Sequence, residues 1–157
     1  MRNLLLALTL LALLAAAPAH AQDDPHGWLF VGDLWLSTRV DPLPIRDGVY
    51  DMFAVGEGVG WLEGTAWVDD DWARIVLASH NYGAFSRLHE LEVGAWIYVA
   101  DYPHTLLVEG YRVTLITTTT PDDVAWLQPT ENETLTLITC TGAHDELRLI
   151  VHAERAW

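Results

Sequence analysis

The chain has 157 residues, with 22 acidic residues against eight basic ones and a formal net charge of −14 at pH 7. All eight basic residues are arginines, so lysine is absent. This balance argues against binding to nucleic acid or to anionic lipid, because both need a basic surface. An apolar content of 51% with eight tryptophans indicates a folded globular domain. We expect the tryptophans to lie mainly in its core.

The first 21 residues have the layout of a secretory signal. Arg2 precedes an apolar run over 4–17, and Ala19-His20-Ala21 forms a small-x-small cleavage site before Gln22. The run is about 14 residues long, shorter than the roughly 20 that cross a bilayer. We therefore predict an exported protein, extracellular or in the cell envelope, with residues 1–21 as a signal peptide. An uncleaved N-terminal anchor in the membrane is the alternative.

From residue 28 onward the sequence consists of short β-type runs broken by Gly, Pro and Asp. The predicted strands are 28–31, 38–45, 62–68, 73–79, 95–100, 105–119 (bent or broken), 134–140 and 147–153. Two short helical turns are predicted at 83–91 and 120–129. Many short strands with few helices indicate an antiparallel barrel or sandwich, so the predicted fold class is all-β.

The last two predicted strands can be followed residue by residue. Leucines alternate with polar residues in both, so if the leucine-rich faces point inward, Cys140 and Arg148 both point outward. The link over 141–146 is short enough to make the strands antiparallel neighbours. Cys140 and Arg148 would then lie close together on the outer face, although a slip of one residue would reverse this.

Cys140 is the only cysteine, so it forms no internal disulfide. A lone cysteine is most often a small buried apolar residue, but a nearby arginine favours the reactive thiolate form. A nucleophilic cysteine also needs a base, usually a histidine that the fold brings close. His80 is the best candidate, because it ends the apolar run ARIVLASH and opens a loop. The other histidines after the signal are expected at the surface: His26, His89, His104, His144 and His152.

Together these segments resemble the sortase family, the cysteine transpeptidases of bacterial cell surfaces. The run Thr136-Leu137-Ile138-Thr139-Cys140 fits the cysteine motif of that family. The segment VLASHNYGAFSRLHELEVGAWIYVADY and the final RLIVHAERAW put His80 and Arg148 in the family's order. The segment VGWLEGTAW, at 59–67, resembles the one that precedes the histidine strand. The resemblance covers most of 40–157.

The resemblance implies a closed sortase-type β-barrel of about eight strands with one or two short helices. With the signal over 1–21, the predicted organisation is then an N-terminal lead-in over 22–38 and a catalytic domain over 39–157. The implied substrate is a surface-protein sorting signal of Leu-Pro-x-Thr-Gly type, and the implied second partner is an amine acceptor. A membrane is a partner only if the signal is an uncleaved anchor.

The resemblance also implies a role for each candidate residue. The Cys140 thiolate would attack the carbonyl of the Thr–Gly bond and form a thioester. His80 would protonate the leaving amine and later help to deprotonate the incoming one. Arg148 would hold the substrate and stabilise the oxyanion, with Thr139 as a weaker candidate for the same help.

Two alternatives stay open at this stage. The first is a non-catalytic exported β-domain that binds glycan or protein through tryptophans and acidic surfaces, in which Cys140 is buried. The second is a sortase-fold peptidase that mainly hydrolyses its substrate. We predict no cofactor. The acidic runs at 69–71 and 122–123 could bind calcium, but they lack the alternating ligands of a calcium loop and are expected to be solvated turns.

Overall fold

The computed structural model describes residues 26–68, 70 and 73–157. Its strands are β1 (Gly27–Val31), β2 (Leu36–Leu43), β3 (Ile45–Arg46), β4 (Val49–Tyr50), β5 (Val59–Leu62), β6 (Arg74–Ala78), β7 (Trp96–Ala100), β8 (Val108–Thr119), β9 (Thr134–Thr141) and β10 (Leu147–Arg155). The helical elements within these residues are 3₁₀ turns at Gly32–Leu34, Met52–Val55, Leu88–Glu90 and Val124–Leu127. None of the helices in this described part is long and apolar enough to cross a membrane.

Eight strands close into a barrel in the order β1-β2-β5-β6-β9-β10-β8-β7, and β3 and β4 form a separate hairpin. Neighbours pair antiparallel except β2 with β5 and β6 with β9, which are parallel. The predicted all-β barrel of about eight strands is confirmed. The strand β1 belongs to this barrel, although it precedes the predicted start of the catalytic domain at residue 39.

Alternating residues of each strand fill the barrel. In β9 the inward side chains Leu135 and Leu137 are fully buried, and in β10 Val151 and Ala153 are fully buried beside them. Burying each leucine or valine contributes roughly 1.5–3 kcal/mol. The predicted inward direction of the leucine-rich faces is therefore confirmed, and it fixes which side chains of β9 and β10 point out of the barrel.

Both predicted helical regions contain a short turn, at Leu88–Glu90 and at Val124–Leu127. The turns at Gly32–Leu34 and Met52–Val55, and the β3–β4 hairpin, are additional to the prediction. The second of these turns is capped by Asp51, whose carboxylate accepts a hydrogen bond from the Phe53 amide at 3.2 Å.

The predicted strand at 62–68 is wrong in its position. The observed strand β5 ends at Leu62, because Gly64 adopts a positive φ of 92° that takes the chain out of the sheet. Beyond it, the Asp70 carboxylate accepts a hydrogen bond from the Trp67 amide at 2.8 Å, which closes a turn where a strand was expected.

The predicted bend in 105–119 corresponds to a β-bulge. The strand β8 is continuous, but its partners shift from Leu115 opposite His152 to Val113 opposite Ala153. Thr114 is therefore an extra residue on β8, which bends the strand and increases its twist.

The expectation that the tryptophans lie mainly in the core is wrong for several of them. Trp67 is buried, but Trp35 is 92% exposed and Trp157 is 60% exposed. Others stand half-buried on the outer face of the barrel, where they stack on neighbouring rings: Trp28 on Phe30, and Trp96 on Tyr98.

Two predictions fall on residues outside the described ranges. The signal over 1–21 is one, and it stays a prediction. The other concerns the acidic run at 69–71, of which only Asp70 is described.

Candidate active site

The predicted nucleophile and the predicted substrate-binding arginine lie on neighbouring strands at one end of the barrel. Cys140 on β9 is the direct Cα partner of Arg148 on β10. Both side chains are half-buried and belong to the outward alternation, opposite to the buried Thr139 and Leu149. The register expected from the sequence, without a one-residue slip, is therefore the observed one.

His80 reaches the same end of the barrel on the other side of β9. Strands β6 and β9 run parallel with Ala78 opposite Ile138, and the same offset of 60 positions relates His80 to Cys140. The amide of Ser79 extends this ladder by donating to the Ile138 carbonyl at 3.2 Å. The backbone thus brings the strand end that carries His80 to the level of the thiol.

The side chains are not joined in this conformation. Among the described residues, no hydrogen bond links the Cys140 sulfur to His80 or to Arg148. The His80 imidazole Nε2 lies 3.2 Å from the carbonyl oxygen of Met52, and its ring stacks on Tyr82 with 4.7 Å between centroids. A direct proton exchange with a group at the thiol therefore requires the imidazole to turn away from Met52.

Arg148 is held by backbone carbonyls of the five-residue link between β9 and β10 and of the first residue of β10. Its Nη1 donates to the carbonyl oxygens of Asp145 at 3.0 Å and Leu147 at 2.9 Å. The same link is tied to the loop after His80, because Asn81 Nδ2 donates to Asp145 Oδ1 at 2.6 Å. These contacts connect the segment that carries the arginine with the segment that follows the histidine.

Thr139 has a bracing position. It is 4% exposed, on the inner face of β9, and its hydroxyl donates to the Ser79 carbonyl at 2.8 Å. This hydrogen bond fastens β9 to the end of β6. The oxyanion role stays a prediction, and the observed hydroxyl contact does not support it.

Two cavities meet the β9 and β10 surface near Cys140. One, of about 150 Å³, lies under the Val124–Leu127 turn. Its lining includes Val124, Trp126, Leu127, Ile138 and Arg148. The walls of this cavity are mainly apolar, with Arg148, Asp123 and two threonines as its polar residues, so it suits an extended peptide with apolar side chains.

The second cavity, of about 220 Å³, touches the thiol itself. Its polar lining includes Asn81, Ser86, His89, Cys140 and Thr141. The sequence did not point to Asn81, Ser86 or His89, and His89 was expected to be an ordinary surface residue. All three residues follow His80 in the same loop, which is the one indication that the sequence offers. No local pattern relates that loop to Cys140.

The β9–β10 link carries the Glu146 carboxylate beside Gly142, and Gly142 lines the cavity at the thiol. Gly142 has a positive φ of 95°, and a Cβ there would come within 2.6 Å of the Glu146 carboxylate. Hydrogen bonds from backbone amides, including that of His144, lower the pKa of Glu146 below its usual range. Glu146 is therefore ionised at neutral pH and gives the β9–β10 link a negative charge.

In the described part of the chain, no three His, Cys, Asp or Glu side chains converge as metal ligands would. Another cavity, of about 570 Å³, is lined by Glu133, just before the start of β9, and by Arg155 at the end of β10. It lies roughly 23 Å from Cys140 along the strand, at 3.3 Å per residue, and therefore does not belong to the thiol site.

The barrel thus presents a half-buried cysteine beside an arginine on its last two strands, an arrangement in which the cation favours the nucleophilic thiolate that a cysteine enzyme needs. A model of the sortase domain matches residues 38–156. The chain therefore belongs to the sortase family, and it is a cysteine transpeptidase of that family with Cys140 as its only cysteine. By sequence, no curated protein matches the chain.

Solved sortase structures have the same fold. Sortase C1 from Streptococcus agalactiae superposes with a TM-score of 0.73 at 23% identity, covering 90% of this chain and 72% of that one. Sortase C-1 from Actinomyces oris gives 0.73 at 24% identity, covering 93% and 81%. Sortase A from Corynebacterium diphtheriae gives 0.73 at 23% identity, covering 94% and 68%. At identities this low, the structural similarity establishes the fold of the barrel alone.

Proposed function

We propose that this protein is an exported sortase that cleaves a Leu-Pro-x-Thr-Gly-like sorting signal and transfers the acyl fragment to an amine. The observation that carries the proposal is the direct pairing of Cys140 with Arg148 at the barrel end where His80 follows β6. A nucleophile, a cation and an acid–base group are thus available around one peptide carbonyl.

The first half of the reaction forms a thioester. The Cys140 sulfur attacks the Thr carbonyl carbon, and Arg148 stabilises the negative charge that develops on the carbonyl oxygen. The C–N bond to Gly then breaks, and His80 donates the proton that the leaving amine takes up. For this step the imidazole must leave the Met52 carbonyl, which it contacts in the free enzyme.

The second half returns the free enzyme. An acceptor amine attacks the thioester carbonyl, the C–S bond breaks, and a new amide forms while the amine proton passes to His80. The presence of two different cavities supports the proposal that the peptide and the amine reach the thiol from different sides. The apolar one beside Arg148 suits the peptide, and the polar one at Cys140, with the Glu146 carboxylate near it, suits a small amine that carries a positive charge in solution.

The decisive experiment supplies a fluorogenic peptide library of Leu-Pro-x-Thr-Gly type together with an amine, and detects the acyl-enzyme by mass spectrometry. We expect a thioester adduct on the wild-type protein and none on Cys140→Ala. Unchanged turnover by Cys140→Ala would end the proposal. Comparing product ratios with and without added amine separates transfer from the hydrolytic alternative.

The non-catalytic alternative has lost its support. It required a buried Cys140, whereas the thiol is half-buried and borders a cavity, and the chain belongs to an enzyme family. Export remains part of the proposal and rests on the layout of residues 1–21. Sequencing the N-terminus of the protein recovered from the producing cell tests it: a chain that begins at Gln22 supports cleavage after Ala21.

A further inference from the structure

The Val124–Leu127 turn forms one wall of the cavity beside Arg148, and Val124, Trp126 and Leu127 all face into that cavity. The turn belongs to a long connection between β8 and β9 and contributes no strand pairing. Its position relative to the barrel therefore depends on side-chain contacts.

Arg74, the first residue of β6, makes such contacts between the barrel wall and the turn. It is 9% exposed, and its Nη1 donates to the Ala125 carbonyl oxygen at 2.9 Å. Its guanidinium carbon lies 5.8 Å from the centre of the Trp126 ring, within the range of a cation–π contact. One arginine thus holds both the backbone and the ring of the turn.

The closed turn lies over buried polar atoms that have lost contact with water and have no protein hydrogen-bond partner in its place. Within the described residues, Arg74 Nε, Thr136 Oγ1 and His152 Nδ1 are buried without a hydrogen-bond partner. Thr136 and His152 are direct partners on β9 and β10, and the His152 ring lies 5.9 Å from that of Trp126. Lifting the turn would let water reach these atoms, so their burial opposes the closed position.

We propose that Arg74 is a positioning residue for peptide binding. Its hydrogen bond to Ala125 and its contact with Trp126 hold the turn closed against the cost of the covered polar atoms. The closed turn completes the apolar wall on which the donor peptide rests. This inference rests on the proposed function in one respect only: the peptide is taken to occupy the cavity beside Arg148.

The test compares Arg74→Met with Arg112→Met. Arg112 lies 5.6 Å over Trp96 on the outer face formed by β7 and β8, so it makes the same kind of contact away from the site. For Arg74→Met we expect KM for the sorting-signal peptide to rise about tenfold, equivalent to about 1.4 kcal/mol, with kcat changed less than twofold. For Arg112→Met both constants should stay unchanged.

A second measurement does not depend on activity. Hydrogen–deuterium exchange should quicken at the amides of 124–127 in Arg74→Met and not in Arg112→Met. If Arg74→Met does not fold, Arg74→Lys serves in its place, since lysine keeps the charge and loses the planar fork. Unaltered exchange in the turn, or a fall in kcat with KM unchanged, would overturn the inference. Absence of any acyl-enzyme in the wild type would instead remove the proposed function and leave the exchange result to decide the role of Arg74.

Discussion

Cys140 and Arg148 face each other directly across strands β9 and β10, with only a five-residue link over 142–146 between those strands. The pair therefore needs no distant part of the chain to assemble it. It depends on the antiparallel register, which the buried leucines on the opposite faces of the strands hold in place.

The first prediction concerns the guanidinium of this pair. Arg148→Met should lower peptide turnover about 10²-fold or more, the usual effect of removing one donor to a developing oxyanion. Arg148→Lys should not restore the rate, because lysine lacks the planar fork of donors. Arg87→Met is the control, since Arg87 pairs with Glu90 at an exposed site. Steady-state measurement of peptide turnover tests this prediction. Full activity in Arg148→Lys would contradict a role for the planar guanidinium.

The second prediction concerns the imidazole. His80→Ala should lower acyl transfer about 10²–10⁴-fold, the range expected for loss of a general acid and base. Alkylation of Cys140 by a small reagent should continue, because the thiol has no hydrogen bond to His80 in the free enzyme. His104→Ala, at the opposite end of the barrel, should behave as wild type. Full activity in His80→Ala would remove this assignment and leave that of Cys140 intact.

The third prediction concerns the polar cavity at the thiol. A bulky side chain in Ser86→Trp should obstruct this cavity while leaving the one beside Arg148 open. Acyl-enzyme formation should then proceed as in the wild type, but the ratio of amide product to hydrolysed product should fall about tenfold, or about 1.4 kcal/mol in relative barrier. Ser37→Trp, on the exposed face of β2, is the matched control. An unchanged product ratio would show that the amine enters elsewhere.

The fourth prediction concerns stability against pH. Burial, with the neighbouring Glu133 carboxyl, raises the pKa of Glu109 to about 7. The folded chain then keeps a proton on Glu109 that the unfolded chain releases near pH 4.5, so stability falls as the pH rises from about 5 through 7. Glu109→Gln should flatten this fall, as measured by Tm at several pH values. Glu92→Gln, at an exposed position, is the control and should show the same fall of Tm with pH as the wild type. An unchanged fall in Glu109→Gln would contradict the raised pKa of Glu109.

Local alternation predicted the barrel and the Cys140–Arg148 pair, because a period of two assigns every residue of a strand to one face. It failed at 62–68, where the left-handed conformation of Gly64 ends the strand within a run of strand-forming residues. The contact of Arg74 with Trp126 was also beyond reach, since 52 positions separate the two residues and no local pattern joins them. His80 was found by its place at a strand end and by family resemblance, whereas its contact with Met52 depends on tertiary packing.

The direction of the strands has a consequence for how the enzyme would stand on a surface. Strand β1 begins at Gly27. The pairings through β7, β8 and β10 put Gly27 level with a point about 11 residues before Cys140 on β9, whereas those through β2, β5 and β6 put it level with Thr139, and the difference reflects the tilt of the strands. The mean of the two places Gly27 toward the end of the barrel opposite Cys140. If the N-terminal segment stays in a membrane and the Gly27 end of the barrel faces that membrane, the thiol would lie on the far side of the barrel, roughly 15 Å above Gly27. A donor protein leaving the same membrane would then need a flexible stalk of at least that height ahead of its own membrane segment. Donors with a shorter stalk would be left unprocessed however well their sorting signal fits the cavity beside Arg148.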